Sequence, residues 1–175
     1  MIAELMERDH QELSALLNDL RFALDQQNQP ETFQLLDLFW ARLAVHIRAE
    51  NLCLFPALLR AFAEGHPGIP THDQVKSAIE TLRSDHNFFM DQLAKAVNML
   101  RDLQPEGGDA PGTLDACEAV RTIVGAVAER LREHDRLEEE QVYKWTDNIL
   151  SAAAADFLTG ALRHELQNMP PRFSH

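Results

Sequence analysis

Four histidines and two glutamates stand at positions of this sequence where a helix would otherwise carry apolar residues. They are His10, His46, Glu50, His86, His134 and Glu138. His46 and Glu50 are four residues apart, as are His134 and Glu138, and one histidine precedes each pair on the segment before it. Residues four apart project from the same face of a helix. The pattern is therefore a duplicated unit that can direct imidazole and carboxylate groups toward one centre.

The chemistry that suits this set of residues is the binding of two metal ions. Ionised carboxylates buried among apolar side chains destabilise a protein by several kcal/mol each unless cations compensate them. Two divalent cations carry four positive charges against the two negative charges of Glu50 and Glu138. A bridging hydroxide or oxide and neutral imidazoles can stabilise the remainder, and such mixed ligands suit iron, manganese or zinc. The alternative is a metal-free interaction bundle with His–Glu hydrogen-bonded pairs at the edge of its core.

The segments that carry these residues have the pattern of long amphipathic helices. Apolar residues recur at alternating steps of three and four, which is typical of helices packed at small crossing angles. We place the four long segments at residues 3–26, 30–64, 71–104 and 113–150. A fifth, shorter helix is expected over 151–167, and no segment alternates with the period of a strand. The pattern predicts an all-α four-helix bundle.

Helix ends and seams can also be predicted in detail. Pro30 suits the first turn of the second helix, and Thr71 with Gln74 three residues later forms a capping box that starts the third. Thr113 is the expected N-cap of the fourth helix, and loops are expected at 65–70 and 105–112. Continued at steps of three and four, the seam after Glu50 and the seam after Glu138 pass through Cys53, Ala57, Gln141 and Trp145.

Chain lengths place the six polar residues at one level of such a bundle. His10 and His46 each lie 18 residues from Asn28 in the first turn, which is about 27 Å along either helix. Glu50 and His86 each lie 15 residues from the ends of the second loop. Across the third loop, His86 lies 18 residues before Gln104 and His134 lies 21 residues after Thr113. Three independent connections thus bring the six side chains to a common height.

The stretches around these residues resemble the hemerythrin family, in particular its bacterial branch of HHE cation-binding domains. The matching stretches are ERDHQEL, AVHIRAENLCLFPAL, SDHNFF and REHDRLEEEQVYKW. The LFP segment at 54–56, after Glu50, is similar to the signature of the family, and the segment at 142–143, after Glu138, looks like a degenerate second copy. The resemblance covers residues 5–150.

The resemblance implies a fold, a cofactor and a set of ligands. The fold is an up-down, hemerythrin-like four-helix bundle over residues 1–150, with a short C-terminal helix and tail over 151–175 packed on it. The cofactor is a di-iron centre, oxo- or hydroxo-bridged, with manganese or zinc as the other candidates. By this resemblance the two glutamates are bridging ligands, and the terminal ligands are His10, His46, His86 and His134.

One departure from the family bears on function. Oxygen-carrying hemerythrins have a second histidine four residues after the histidine of the third helix, and this chain has Met90 there. The open coordination that results argues against simple reversible oxygen carriage. It favours the binding of O2, NO or peroxide for sensing, stress protection or iron handling. The alternative is a di-iron oxidoreductase (a ferroxidase or peroxidase), or an iron donor like the iron-sulfur cluster repair proteins, whose small Cys-containing domain this sequence lacks.

Composition excludes some partners. Sixteen Lys and Arg face 28 Asp and Glu, giving a formal charge of -12 without a basic stripe, so neither nucleic acid nor an anionic membrane is an expected partner. No apolar run approaches the length of a membrane span, and no signal peptide is recognisable. With only two cysteines, Cys53 and Cys117, a cytoplasmic, reduced protein is expected. Both cysteines are predicted to be small core residues.

Several other side chains have open or passive roles in the sequence alone. Asp9 and Asp85, each just before a predicted ligand histidine, either support the metal ligands through hydrogen bonds or lie at the surface. Tyr143 either contacts the site or packs near the bundle surface. Met90 is predicted to line a cavity. No role is assigned to His66, His72, His164 and His175.

Overall fold

The computed structural model describes residues 1–63, 70–102 and 113–173, and every regular element within these ranges is helical. The elements are α1 (Ile2–Asp25), α2 (Gln29–Ala49), the π-helical segment π1 (Glu50–Leu54), α3 (Phe55–Ala63), α4 (His72–Asp102), α5 (Thr113–Leu137), the π-helical segment π2 (Glu138–Val142), α6 (Tyr143–Ile149), α7 (Ala152–Gln167) and a 3-10 turn (Pro171–Phe173). The all-α prediction is confirmed. The loop residues 65–69 and 105–112, together with His66 and His175, lie outside the described residues.

Side-chain caps fix where the helices begin. The Asn28 side chain accepts a hydrogen bond from the backbone N–H of Glu31, and Pro30 occupies the first turn of α2. At the start of α4, the backbone N–H of Thr71 donates to Gln74 Oε1 at 2.8 Å, and the N–H of Gln74 donates to Thr71 Oγ1 at 3.3 Å. The predicted capping box is therefore confirmed. Thr113 is the first described residue of α5, so its predicted role as N-cap is not tested.

The helices pack as two pairs of neighbours, α1 with α2 and α4 with α5, and the pairs meet where α2 contacts α4 and α1 contacts α5. Two clusters of buried apolar side chains lie along the bundle. The first contains residues such as Leu17, Leu36, Leu93 and Val124, and the second contains Ile2, Met6, Leu58, Leu82 and Leu162. The histidine and glutamate layer lies between the two clusters, because each helix passes from one cluster to the other at its polar residue.

The predicted seam of the second segment is wrong beyond Glu50. Cys53 and Ala57, predicted to lie on the seam, are only half-buried, whereas Leu54 and Leu58 are fully buried. The cause is π1, because a π-turn closes its hydrogen bonds over five residues instead of four and so rotates the face that meets the core by one residue. The π-turn lets Glu50 face the centre while Leu54 faces the core below it.

The second copy shows the same error and the same cause. Gln141, predicted on the seam, is exposed, and Trp145 is half-buried. Val142 and Tyr143 are buried in their place because π2 begins at Glu138, the position equivalent to the start of π1. The two π-segments are therefore part of the duplication.

Helix α7 packs on the bundle, chiefly against α2. Leu158, Leu162 and Leu166 are buried in the second apolar cluster, and Arg48 of α2 donates to Glu165 Oε2 at 2.9 Å. The predicted C-terminal helix is thus present with its predicted end at residue 167. No described helix combines the length and apolar character that a membrane span requires. Both cysteines are half-buried, so neither is the core residue that was predicted.

Candidate metal centre

The structure brings together all six polar residues that the sequence singled out. Each is buried, and the most exposed of them, His10, has 4% of its surface accessible. Their donor atoms form two overlapping groups, within each of which all atoms lie within 4.8 Å of one another. Position A consists of His10, His46, Glu50 and Glu138, and position B consists of His86, His134, Glu50 and Glu138.

Each glutamate divides its two oxygen atoms between the two positions. Glu50 Oε1 lies 3.5 Å from His46 Nε2 in position A, and Glu50 Oε2 lies 3.2 Å from His86 Nε2 in position B. Glu138 does the same, with Oε2 3.3 Å from an imidazole nitrogen of position A and Oε1 3.2 Å from one of position B. Two carboxylates arranged in this way can each bridge a pair of cations.

Three buried polar atoms of the centre have no hydrogen-bond partner in the described part of the chain. They are Glu50 Oε2, Glu138 Oε1 and His86 Nε2, and all three belong to position B. Glu50 Oε2 and Glu138 Oε1 each lie 3.2 Å from an imidazole nitrogen, but without the geometry of a hydrogen bond. A buried polar atom that makes no hydrogen bond costs free energy, more for charged groups than for neutral ones. A cation in contact with these atoms would remove that cost. The residues present therefore fit a metal centre.

Asp9 fixes the direction of one histidine of position A. Its Oδ2 lies 2.8 Å from His46 Nδ1, and its Oδ1 accepts a 2.6 Å hydrogen bond from Arg42. Burial would raise the pKa of Asp9, but its pairing with His46 and Arg42 outweighs burial and leaves the pKa lowered. A proton held on Nδ1 by this carboxylate leaves Nε2 free to act as a donor toward the centre.

Asp85 repeats this arrangement in position B. Its Oδ2 lies 3.3 Å from His134 Nδ1, and its Oδ1 accepts a 2.6 Å hydrogen bond from Arg130. The duplicated unit is therefore longer than a histidine followed by His-x-x-x-Glu. It is an Asp-His pair on one helix, followed on the next by Arg, His and Glu at intervals of four. Searching for charged residues at helical spacing around each His-x-x-x-Glu would have found the arginines.

Tyr143 completes position A. Its hydroxyl lies 3.0 Å from Glu50 Oε1, 3.0 Å from Glu138 Oε2 and 3.0 Å from His10 Nε2, and the whole residue is buried. Burial, together with the adjacent carboxylates of Glu138 and Glu50, raises the pKa of the phenol well above its usual value. Of the two roles that the sequence left open for Tyr143, contact with the site is the one observed.

Phe55 occupies the equivalent place in the first copy, since it follows Glu50 by five residues as Tyr143 follows Glu138. Its ring stacks on the His86 imidazole with centroids 5.8 Å apart and an angle of 10° between the planes. Position B therefore has a hydrocarbon ring where position A has a phenol.

The family comparison agrees with this geometry. A family model described as the hemerythrin HHE cation binding domain matches residues 1–146. The chain belongs to this family. Searches of curated proteins and of solved structures find no match. As a hemerythrin HHE domain the chain is a cation-binding protein, and the two groups of buried histidines and glutamates are where its described residues could hold a metal.

Protons and carboxylates compensate one another in this HHE domain when no cation does so. Burial would lower the pKa of His134, but Glu138 and Asp85 raise it to about 10. Burial would also lower the pKa of His46, which the carboxylates of Glu50 and Asp9 raise well above its usual value. The same charge pairing overcomes burial and lowers the pKa of both glutamates. Metal ions must therefore displace protons from these imidazoles in order to bind.

The remaining contacts of the centre involve residues that the sequence pattern did not predict. Glu139 Oε1 lies 2.8 Å from His10 Nδ1, and Asn51 Nδ2 lies 3.2 Å from His86 Nδ1. Asn51 and Glu139 each directly follow one of the two glutamates of the centre, and this position was the signal available in the sequence. Asp135 lies at the edge of position A, and burial raises its pKa to about 6. His72 and His164 are exposed and distant from the layer.

Proposed function

We propose that the chain binds a pair of iron ions, one at position A and one at position B, and that the pair binds O2, NO or peroxide. The observation that carries this proposal is the division of each glutamate between the two groups of histidines. Carboxylates aimed in this way serve two cations at once and serve a single cation poorly. In this proposal the four histidines are terminal ligands and Glu50 and Glu138 are bridges.

The donor atoms and their charges support iron with a hydroxo or oxo bridge. Imidazole with carboxylate is a donor set that suits iron, and also manganese and zinc. Each position offers two imidazole nitrogens and two carboxylate oxygens, which leaves coordination sites free on an octahedral metal. Two divalent ions and two carboxylates leave a net charge of +2, which a bridging hydroxide or oxide reduces further. These ions would supply redox chemistry and an affinity for small ligands.

Burial supports a small ligand. All six predicted ligands have at most 4% of their surface exposed, and they lie between two apolar clusters. A diatomic molecule or peroxide can reach such a centre through small fluctuations of the packing, whereas a large substrate would require the bundle to open. Sensing, stress protection and iron handling are the roles that fit a centre of this kind.

A second function is favoured by Tyr143. Its phenol lies 3.0 Å from a carboxylate oxygen of each glutamate, where a redox-active side chain could take part in turnover. This contact favours a di-iron oxidoreductase, acting on Fe(II) or peroxide. An iron donor resembling the iron-sulfur cluster repair proteins would use the same centre but would release its metal.

The test begins with iron loading under anaerobic conditions, followed by metal analysis and visible spectra after separate additions of O2, NO and peroxide. The proposal predicts two irons per chain and a ligand-dependent band. His46→Leu combined with Glu50→Met should lose both, while His72→Leu, which changes an exposed histidine, should keep both. A wild-type chain that stays metal-free in the presence of excess iron contradicts the proposal. Many turnovers of peroxide or Fe(II) per chain would identify the oxidoreductase, and a single equivalent bound would identify the binding protein.

A further inference from the structure

The duplicated unit is not symmetric at the centre itself. Tyr143 and Phe55 are equivalent residues, but the Tyr143 hydroxyl lies within 3.0 Å of three donor atoms of position A. An oxygen atom at this distance from all three lies among the donor atoms of position A, where it takes up space that a further ligand would need. It is also itself a possible donor to a metal there.

Among the described residues, two hydrocarbon rings lie against the histidines of position B. The Phe55 ring stacks on His86, and the Phe89 ring meets His134 edge-on with centroids 5.3 Å apart. Neither ring offers a donor to a cation. The three buried polar atoms without hydrogen-bond partners also belong to position B. Position B is therefore the less saturated of the two.

Two further differences between the copies also distinguish the surroundings of position A from those of position B. Asp135, which follows a histidine of the second copy, has an oxygen atom 4.0 Å from His10 Nε2 in position A. Its equivalent in the first copy is Ile47, an apolar residue buried in the first cluster. Glu139 beside position A is replaced by the neutral Asn51 beside position B. Position A thus has more oxygen atoms and more negative charge around it.

Met90 supplies the last difference. It lies four residues after His86, on the same face of α4, and it is half-buried against the first apolar cluster. A histidine at this place would share the face of α4 that carries His86 and would add a donor on the side of position B. The thioether of this chain packs against apolar side chains instead.

We infer that an added small ligand binds at position B, the position of His86 and His134, and that Tyr143 closes position A. This inference rests on the proposed function, because it requires metal ions at both positions. It follows from Tyr143, Asp135 and Met90 rather than from the paired glutamates. The small ligand would be an anion or diatomic that needs one free coordination site and an apolar wall.

Exchanging the equivalent residues tests the inference. The probe is azide, titrated into the iron-loaded, oxidised chain and followed by its visible absorption band. Phe55→Tyr places a hydroxyl at position B and should weaken azide binding at least about tenfold. Tyr143→Phe opens position A and should raise the number of azides bound per chain from one to two. Phe62→Tyr is the matched control, since it adds the same hydroxyl to a buried ring two turns further along α3.

Metal analysis of every variant separates this inference from the proposed function. A wild-type chain without two irons defeats the proposed function. Variants with two irons in which Phe55→Tyr binds azide as wild type does, or in which Tyr143→Phe loses azide, overturn the inference alone. If Phe55→Tyr does not fold, Met90→His provides the same test, because its imidazole would add a donor at position B and should also weaken azide binding about tenfold.

Discussion

Asp9 and Asp85 are single residues that organise the site without belonging to the predicted ligand set. Each accepts a hydrogen bond from an arginine and pairs with the Nδ1 of a histidine. The carboxylate holds the imidazole ring in one orientation and makes the opposite nitrogen more basic. The position of each aspartate, one residue before a predicted ligand histidine, was visible in the sequence. Its partner was not, because the contact crosses between helices.

Asp9→Asn should weaken metal binding by about 10- to 100-fold, because it removes the charged acceptor that orients His46. Competition with a chelator of known affinity measures the change. Asp19→Asn is the control, since Asp19 lies exposed on the same helix α1. Equal affinities in the two variants would show that Asp9 does not act on the centre.

The raised pKa of His134 predicts how the metal-free protein responds to pH. Its pKa is 6.5 as a free group and about 10 in the folded chain. The folded state therefore binds this proton more tightly, so the stabilisation is complete below pH 6.5 and is lost as the pH rises to about 10. Urea unfolding midpoints of the metal-free protein should fall across this range.

The metal-loaded protein should lose less stability over the same pH range, because its imidazoles are neutral while they bind the metal. The variant His134→Gln should likewise flatten the metal-free profile, while His72→Gln should leave it unchanged. Parallel profiles for the metal-free and metal-loaded forms would contradict this assignment of the proton.

The predicted ligands could be identified from the sequence, because a polar or charged residue stands out at a helix position where apolar residues otherwise recur. Tyr143 was not, since a tyrosine in an amphipathic helix packs as readily at a surface as in a core. Only the π-turn before it decides the matter, by rotating Tyr143 inward. The one signal in the sequence was that Tyr143 follows Glu138 by the same five residues by which Phe55 follows Glu50. Both residues are buried in the structure.

At the scale of elements, π1 and π2 decide which residues face the core. The apolar pattern predicted the four long helices and the fifth helix, and the start signals predicted where α2 and α4 begin. The apolar pattern did not predict the π-turns. The residues three and four positions after each glutamate could both face the core, so the spacing alone does not reveal the turn. Pro56 lies just after π1 and lacks an N–H, but Lys144 occupies the equivalent place after π2. Proline is therefore not the common cause, and both π-turns instead begin at a glutamate of the centre.

Leu54→Ala and Cys53→Ala distinguish the π-turn from a continuous α-helix. Leu54 is fully buried, so its truncation should reduce the free energy of unfolding by about 2–5 kcal/mol. Cys53 is half-buried, and its truncation should cost less than about 1 kcal/mol. Urea unfolding of the metal-free forms measures both. A larger loss for Cys53→Ala than for Leu54→Ala would support the uninterrupted seam instead.

At the scale of the whole molecule, the polar layer is enclosed by apolar clusters on both sides along the bundle. Helix α7 extends the second cluster, although it lies beyond the residues matched by the family. The division of the chain into a bundle at 1–150 and an added helix at 151–175 stays a prediction. The contacts of α7 with α2 support its folding together with the bundle.

Leu162→Ala should destabilise the whole molecule, because Leu162 is fully buried between α7 and the bundle. The expected loss is about 2–5 kcal/mol in a single unfolding transition followed by circular dichroism. Phe157→Ala on the same helix is the control, since Phe157 is 81% exposed and should change stability by no more than about 0.5 kcal/mol. A separate early transition in the Leu162→Ala variant would show that α7 unfolds independently.

The most direct test of the two-metal centre is anomalous X-ray diffraction from crystals of the iron-loaded chain, recorded above and below the iron absorption edge. The account predicts two anomalous peaks between Glu50 and Glu138, one next to His10 and His46 and the other next to His86 and His134. A single peak, or peaks located away from these imidazoles and carboxylates, would contradict it.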